Sequence, residues 1–388
     1  MKVLLFCHSL VSDWNHGNAH FLRGVVRELL KRGHEVQVYE PHRGWSIANL
    51  VREHGTEPLE DFRHVFPGLK SIEYDESFWR GGDLEAALDG ADVALVHEWN
   101  APELVAAVGA VGSATDCRLF FHDTHHRSVT APKTMAGYDL SRYDGVLAFG
   151  EAVRLRYLEE GWVGRAWTWH EAADVELFRP LPGVDPGRDV VWIGNWGDDE
   201  RTAELERFLL GPVHALLWKD ERRSASAYGV RYPQAAVDAL VRAGLRYDGW
   251  LPNVRVPEAF ALHRVTVHVP RGPYVEALPG IPTIRVFEAL ACGIPLVCSP
   301  WDDVEGLFSE GEDYLVAHNG AEMEGHLEAI LSDPELASSL SDHGRRTVLE
   351  RHTCAHRVDE LLDIVREVEA PREQEEQSGE PAGRVEVS

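Results

Sequence analysis

Residues 279–301 read PGIPTIRVFEALACGIPLVCSPW. The spacing predicts a Gly/Pro-rich loop, a short helix carrying Arg285 and Glu288, a Cys-Gly turn and then the buried strand IPLVCS. A tight loop that opens a helix leaves backbone N–H groups without intrahelical partners, and the helix dipole adds partial positive charge there. Such an end, with Thr283 and Ile284 at its start, is a ready site for a phosphate or diphosphate. Arg285 and Glu288 are three apart and share one helical face. The cation can meet phosphate while the carboxylate accepts from two vicinal hydroxyls, as a ribose presents them. The plainer alternative is an ordinary turn whose Arg and Glu pair in solvent.

Outward from this stretch, the same alternation of strand and helix repeats in both directions. VLLFCHSL is a continuous apolar strand, as expected where both faces of a parallel sheet are covered. HFLRGVVRELLKRG has 3.6-residue periodicity and stops at Gly33, and HEVQVYEP follows as a second strand. Further αβ units run to EAVRLRYLEEGW, and a second series begins at DVVWIGNW. This pattern predicts an α/β protein of two doubly wound parallel sheets, whose ligands sit in the cleft outside the strand C-terminal ends. The expected divisions are an N-terminal Rossmann-like domain over 1–170, a Pro/Gly-rich linker over 171–188 and a second domain over 189–350. A C-terminal helix over 351–369 and a disordered acidic tail over 370–388 complete the plan.

With 388 residues and a formal net charge of −26, the chain has material for two cores and no general basic face for a nucleic-acid backbone. Five cysteines without CxxC spacing point to free thiols in a reducing compartment. MKVLLFCHSL is too short for a signal peptide, and no apolar run approaches the ~20 residues of a membrane helix. The expectation is a cytoplasmic protein with no transmembrane segment.

The run FEALACGIPLV resembles the donor-site signature of GT-B glycosyltransferases of the retaining, sucrose-synthase-like superfamily. Its pattern is E-x7-E followed by A-x-A-C-G-x-P-V-V. Glu288 matches the second Glu, whereas Gly280 stands where the first would be. The form IRVFEALACG is similar to the CgeB-type, spore-maturation glycosyltransferase-like branch. LRGVVRELLKRGHEVQVYEP, AADVELFRP and RRTVLERHTCAHRVDELL resemble further GT-B segments in the expected order, up to the acidic tail. The last implies a helix crossing back onto the N-terminal domain.

The resemblance implies transfer of a sugar from a nucleoside-diphosphate sugar to an acceptor hydroxyl, with retention of configuration. Glu288 would accept from the nucleoside ribose. Arg285, Arg201 and helix N-terminal amides would stabilise the leaving diphosphate, so no metal and no further cofactor is required. Gly194 and Asn195 match the family's Gly-Arg loop, with Asn195 replacing the Arg. Gly249 and Trp250, in the turn GWLPN, lie where this fold receives the base. Gly17 and Asn18 lie where the family has its Gly-Gly loop, and His16 and His20 belong to the same loop on the acceptor side. His122 and Asp123 match an H-D element that contacts the donor sugar, with His97 as a second candidate. Acceptor deprotonation by His122 or Asp123 would instead give inversion.

Read without the resemblance, His122, Asp123, His125 and His126, three His with an Asp within five residues, are the most unusual local feature of the chain and a candidate metal site. Ligands so close in a loop leaving a strand rarely converge without a distant fourth. Twelve tryptophans, among them Trp14, Trp45 and Trp99 in expected loops, suit sugar rings or a nucleobase as well as ordinary packing. Two other functions use the same frame. A nucleotide-sugar 2-epimerase needs the same donor, although the RVFEALACG form argues against it. A non-catalytic nucleotide-binding protein is motivated by Gly280 and Asn195. Phosphorylase chemistry on this fold needs a cofactor lysine, and residues 220–388 contain no Lys.

Overall fold

The computed structural model describes residues 1–197 and 201–369. The expected tail over 370–388 lies outside them. A seven-stranded sheet in the order β3-β2-β1-β4-β5-β6-β7 is built from Lys2–Phe6, Glu35–Pro41, Ser71–Tyr74, Val93–His97, Arg118–Asp123, Gly145–Ala148 and Ala166–Thr168, numbered β1 to β7. A six-stranded sheet in the order β10-β9-β8-β11-β12-β13 holds Arg188–Ile193, Ala225–Tyr228, Arg246–Tyr247, His263–His268, Leu296–Cys298 and Leu315–Val316, numbered β8 to β13. Every pairing is parallel; β1, for example, sets Val3 against Val36 on one side and Val93 on the other.

The order follows from apolar continuity. VLLF of β1 and VALVH of β4 are buried throughout, so their sheet needs helices on both faces. Helix Ala19–Lys31 covers one face with Leu22, Val25, Val26 and Leu29 buried, and Gly33 lets the chain turn at φ +82. Helix Ile284–Cys292 ends at Gly293 in the left-handed region, φ +69, which Gly adopts without a Cβ clash.

The two sheets are joined by more than the segment after β7. Helix Cys354–Glu369 lies against helix Ala19–Lys31, with Leu361, Ile364 and Val365 buried. Gly24 permits this approach: a Cβ there would overlap Cys354 Sγ at the start of that helix and stand 3.3 Å from the Cys354 Cβ. Trp169 donates to the Arg357 carbonyl at 2.7 Å, and Arg165 and Trp167 both bond Glu367 at 3.0 Å. One hydrophobic cluster runs from β1 through Trp169 and Phe178 to the helix at 284–292. Among the described residues, no helix is long and apolar enough to cross a membrane.

Candidate functional site

A cleft of about 1000 Å³ lies between the sheets. Its walls come almost entirely from segments that follow strand C-terminal ends. From the first sheet these are His8 and His16–Asn18 after β1, Trp99 after β4, Thr124–Arg127 after β5, Phe149 after β6 and Glu171 after β7. From the second they are Gly194, Asn195 and Arg201 after β8, Arg231 after β9, Arg271 after β11 and Thr283–Arg285 at the following helix. Parallel strands all end on one side, so the topology alone gathers these loops.

The charge of the cleft is opposite to that of the chain. Arg127, Arg201, Arg231, Arg271 and Arg285 line it, and among the described lining residues Glu171 is the one carboxylate. Burial pushes the Glu171 carboxyl up to about 8, against hydrogen bonds from Asn18 and the Ile284 N–H that favour the ionised form. At neutral pH Glu171 is therefore mostly a neutral acid. Burial also lowers the histidines, His8 to about 4 and His268 to about 3, with His16 and His125 well below the ordinary value. These rings offer hydrogen bonds without charge, and the arginines supply the field.

Several expected donor-site residues reach this cleft. Arg285 lines it and pairs with Glu288 across one turn of helix. Thr283 Oγ1 bonds His268 Nε2 at 3.0 Å. Asn195 donates to Asn15 Oδ1 and accepts from the Val230 N–H at 2.9 Å, tying the two domains across the cleft. Arg201 spends its fork on loop carbonyls, those of Trp196 at 3.3 Å, Val269 at 2.9 Å and Asn195, and stacks over Trp192. It shapes the Gly194 loop as well as charging the cleft. The Ile284 amide, expected to be open to phosphate, is taken by Glu171.

Glu288 is placed differently from its expected position beside a ribose. It is 0% exposed and does not line the cleft. Oε1 receives the Asn253 amide at 2.9 Å and the His20 ring at 2.7 Å, and Arg285 closes the other side. His20 Nε2 accepts the Asp174 N–H at 2.8 Å, which leaves the ring proton on Nδ1, donated to Glu288. His20, expected on the acceptor loop, is thus stacked on Phe178 at 3.8 Å inside an interdomain joint. The physical reason is packing: helix Ala19–Lys31 delivers His20 beneath the cleft floor, where the carboxylate finds partners instead of solvent. Burial by itself would raise the Glu288 carboxyl, but Arg285, His20 and Asn253 outweigh it and hold it low.

The His/Asp cluster splits by strand alternation, since successive side chains face opposite sides of β5. His122 packs under Trp169 at 4.9 Å, with burial lowering it to about 3, and His97 bonds Thr124 Oγ1 at 3.0 Å. Both border a small void, apart from the cleft. Asp123 accepts from Tyr157 Oη at 2.8 Å and the His125 N–H at 3.0 Å. Buried beside it, Glu98 keeps its proton and donates to Asp123, because burial and the neighbouring carboxylate both raise it. These residues brace the turn that carries His125 and Arg127 into the cleft. Among the described residues, no group of three or more His, Cys, Asp or Glu side chains could hold a metal. Gly249 turns at φ +72, while Trp250 stacks on His54 at 4.6 Å beside a separate small pocket.

Trp45 and Trp99, 48% and 43% exposed, stand on the N-terminal wall, whereas Trp14 is buried. Sequence reasoning passed over Arg231, Arg271 and Glu171. The first two follow β9 and β11 directly, in YGVR and VHVPR, and the strand-end rule applied to every strand would have found them. Glu171 was hidden in a segment read as linker.

Residues 201–363 match the family model described as Glycosyl transferase-like. A comparison with curated proteins gives no match. Among solved structures, Anabaena HepE in complex with UDP and glucose superposes with a TM-score of 0.63 at 11% identity, over 95% of this chain and 100% of that one. S. aureus TarM, in a complex that includes UDP, gives 0.64 at 10% identity over 94% and 99%. A candidate UDP-N-acetylglucosamine 2-epimerase from Listeria monocytogenes gives 0.62 at 12% over 94% and 95%. The chain therefore has the GT-B fold, and residues 201–363 are similar in sequence to the glycosyltransferase-like family.

Proposed function

We propose that the protein transfers a sugar from a nucleoside-diphosphate sugar to an acceptor hydroxyl, without a metal and with retention of configuration. The observation that carries this reading is the arginine-lined cleft in a chain of net charge −26. When the bond between the anomeric carbon and the donor phosphate oxygen breaks, negative charge grows on the leaving diphosphate. Arg271, Arg231, Arg201 and Arg285 line the cleft where that charge would develop, so positive charge is in place before the bond breaks. The acceptor oxygen forms the new bond to the same carbon on the face from which the diphosphate departs, and its proton passes to the departing phosphate oxygen. The N-terminal wall, with Trp45, Trp99 and His125, suits the acceptor: the indoles offer apolar faces and the buried His125 Nδ1 has no protein partner. His122, Asp123 and His97 act in this proposal through the β5 turn, and Glu288 through Arg285. Gly194 and Asn195 shape the rim toward the base. The IRVFEALACG form supports placing the chain in the CgeB-type branch.

Calorimetric titration with UDP, GDP, dTDP and ADP in EDTA tests the reading, on the wild type and on Arg271→Ala. One diphosphate binding the wild type at micromolar level, and the variant at least ~10-fold more weakly, is expected for loss of a charge-assisted contact. No binding to any of the four by the folded protein overturns it. Conversion of a nucleotide sugar with no acceptor present would replace it with the 2-epimerase reading, which the same fold accommodates.

A further inference from the structure

Beside the start of helix Ile284–Cys292, one corner of the cleft wall is lined by hydrogen-bond acceptors. Asn18 is 9% exposed; its Nδ2 donates to Glu171 Oε1 at 2.7 Å, while its Oδ1 is buried without a partner. His16 bonds the Ser9 backbone, and its buried Nε2 has no partner. Glu171 also takes the Ile284 N–H. Gly17 brings this corner against the second domain, since a Cβ there would meet Ile284 Cγ2 at 3.3 Å. Buried acceptors left unpaired are costly and point to a donor that arrives with a ligand. A phosphate at neutral pH only accepts, so it cannot satisfy them. A hydroxyl donates, and a polyol donates several times.

We propose that Glu171, flanked by Asn18 and His16, contacts the hydroxyls of the transferred sugar. This assignment rests on the donor-binding function proposed above. The division of labour is chemical: arginines take the diphosphate, and the acceptor corner takes the neutral sugar attached to it. Glu171 is held from both domains, by Asn18 and by the start of helix Ile284–Cys292, so it is positioned before ligand arrives. Its neutral state at pH 7 suits the role, because a carboxylic acid both donates and accepts like the hydroxyl it meets and does not repel the diphosphate. Tyr274 and Glu288 are the other titratable groups acting on it; the first is pushed up by burial and stays un-ionised, and the second stays ionised.

The test compares UDP with UDP-glucose by calorimetry at pH 7 on the wild type, Glu171→Ala and Glu171→Gln. Expected is UDP affinity within about 2-fold of wild type in both variants, with UDP-glucose weakened ~10-fold in the Ala variant and less in the Gln variant, as for a lost hydrogen bond. The difference between the two ligands is the readout, which a purely structural role would not move. Equal loss for both ligands assigns Glu171 to the ribose or to folding and overturns the proposal. So does a UDP affinity that rises in Glu171→Ala, which makes the carboxyl a plug on the helix end. Unchanged UDP-glucose binding overturns it as well. If the folded wild type binds GDP, dTDP or ADP in place of UDP, the same comparison is made with that diphosphate and its glucose ester; if it binds none of the four, the donor-site function itself fails and this assignment with it.

Discussion

Replacing Glu288 by alanine should destabilise the protein before it affects any ligand. The carboxylate is fully buried and has three partners: the Arg285 guanidinium, Asn253 Nδ2 at 2.9 Å and His20 Nδ1 at 2.7 Å. Truncation removes the acceptor for all of them. Arg285 borders the cleft and can turn toward water, but the Asn253 amide and the His20 N–H stay buried. Breaking a buried ion pair from one side costs about 3–5 kcal/mol. Glu288→Gln keeps one oxygen for His20 and Asn253 but faces Arg285 with an uncharged amide, so a loss of about 1–3 kcal/mol is expected. The joint links helix Ala19–Lys31, the Asp174 segment and the second domain, so both domains should report the loss in the first urea transition. The sign with pH follows from the lowered carboxyl. Its contribution is complete above the ordinary value of 4.5 and disappears as pH falls through the lower folded value. Urea unfolding of the three proteins at pH 7, with UDP titration of the folded fraction, decides the matter. If Glu288→Ala stays within about 0.5 kcal/mol of wild type, as a solvent-facing residue would, the buried-joint reasoning is wrong and Glu288 belongs to ligand.

Three further outcomes follow from other parts of the structure. His122 is buried and lowered to about 3, so the unfolded chain binds the proton that the fold refuses, and stability falls as pH drops below about 6.5. His122→Phe should lose about 1.4 kcal/mol less than wild type between pH 7.5 and 5.5, one unit below the ordinary histidine value; equal losses in urea would refute this. Asp123→Ala should cost about 3 kcal/mol or more by stranding Tyr157 Oη, the His125 N–H and Glu98. Asp123→Asn, once folded, should bind UDP like wild type, and a selective loss of binding would return Asp123 to the ligand site. Gly24→Val should force helix Cys354–Glu369 away from helix Ala19–Lys31, lowering the urea midpoint by the equivalent of about 2 kcal/mol or more; an unchanged midpoint would show that the docking is not tight.

Sequence alone determined the elements and their order. Apolar runs such as VLLF and VALVH have one stable use, a parallel strand covered on both faces, and their alternation with amphipathic helices dictates two doubly wound sheets. That placed the cleft at the strand ends, and with it Gly17, Asn18, Asn195, Thr283 and Arg285. Which polar side chain faces the cleft was decided by tertiary structure. His122 and His125 are three apart in sequence, yet the first lies beneath Trp169 and the second lines the cleft. The pleat turns one side chain inward, and the turn braced by Asp123 presents the other. Likewise the spacing of Arg285 and Glu288 promised a shared helical face but could not reveal that His20, 268 residues away, would cover the carboxylate. Glu171 gave no periodic signal at all. Its burial and neutrality arise only because two domains close around it, and such long-range desolvation leaves no trace in local sequence.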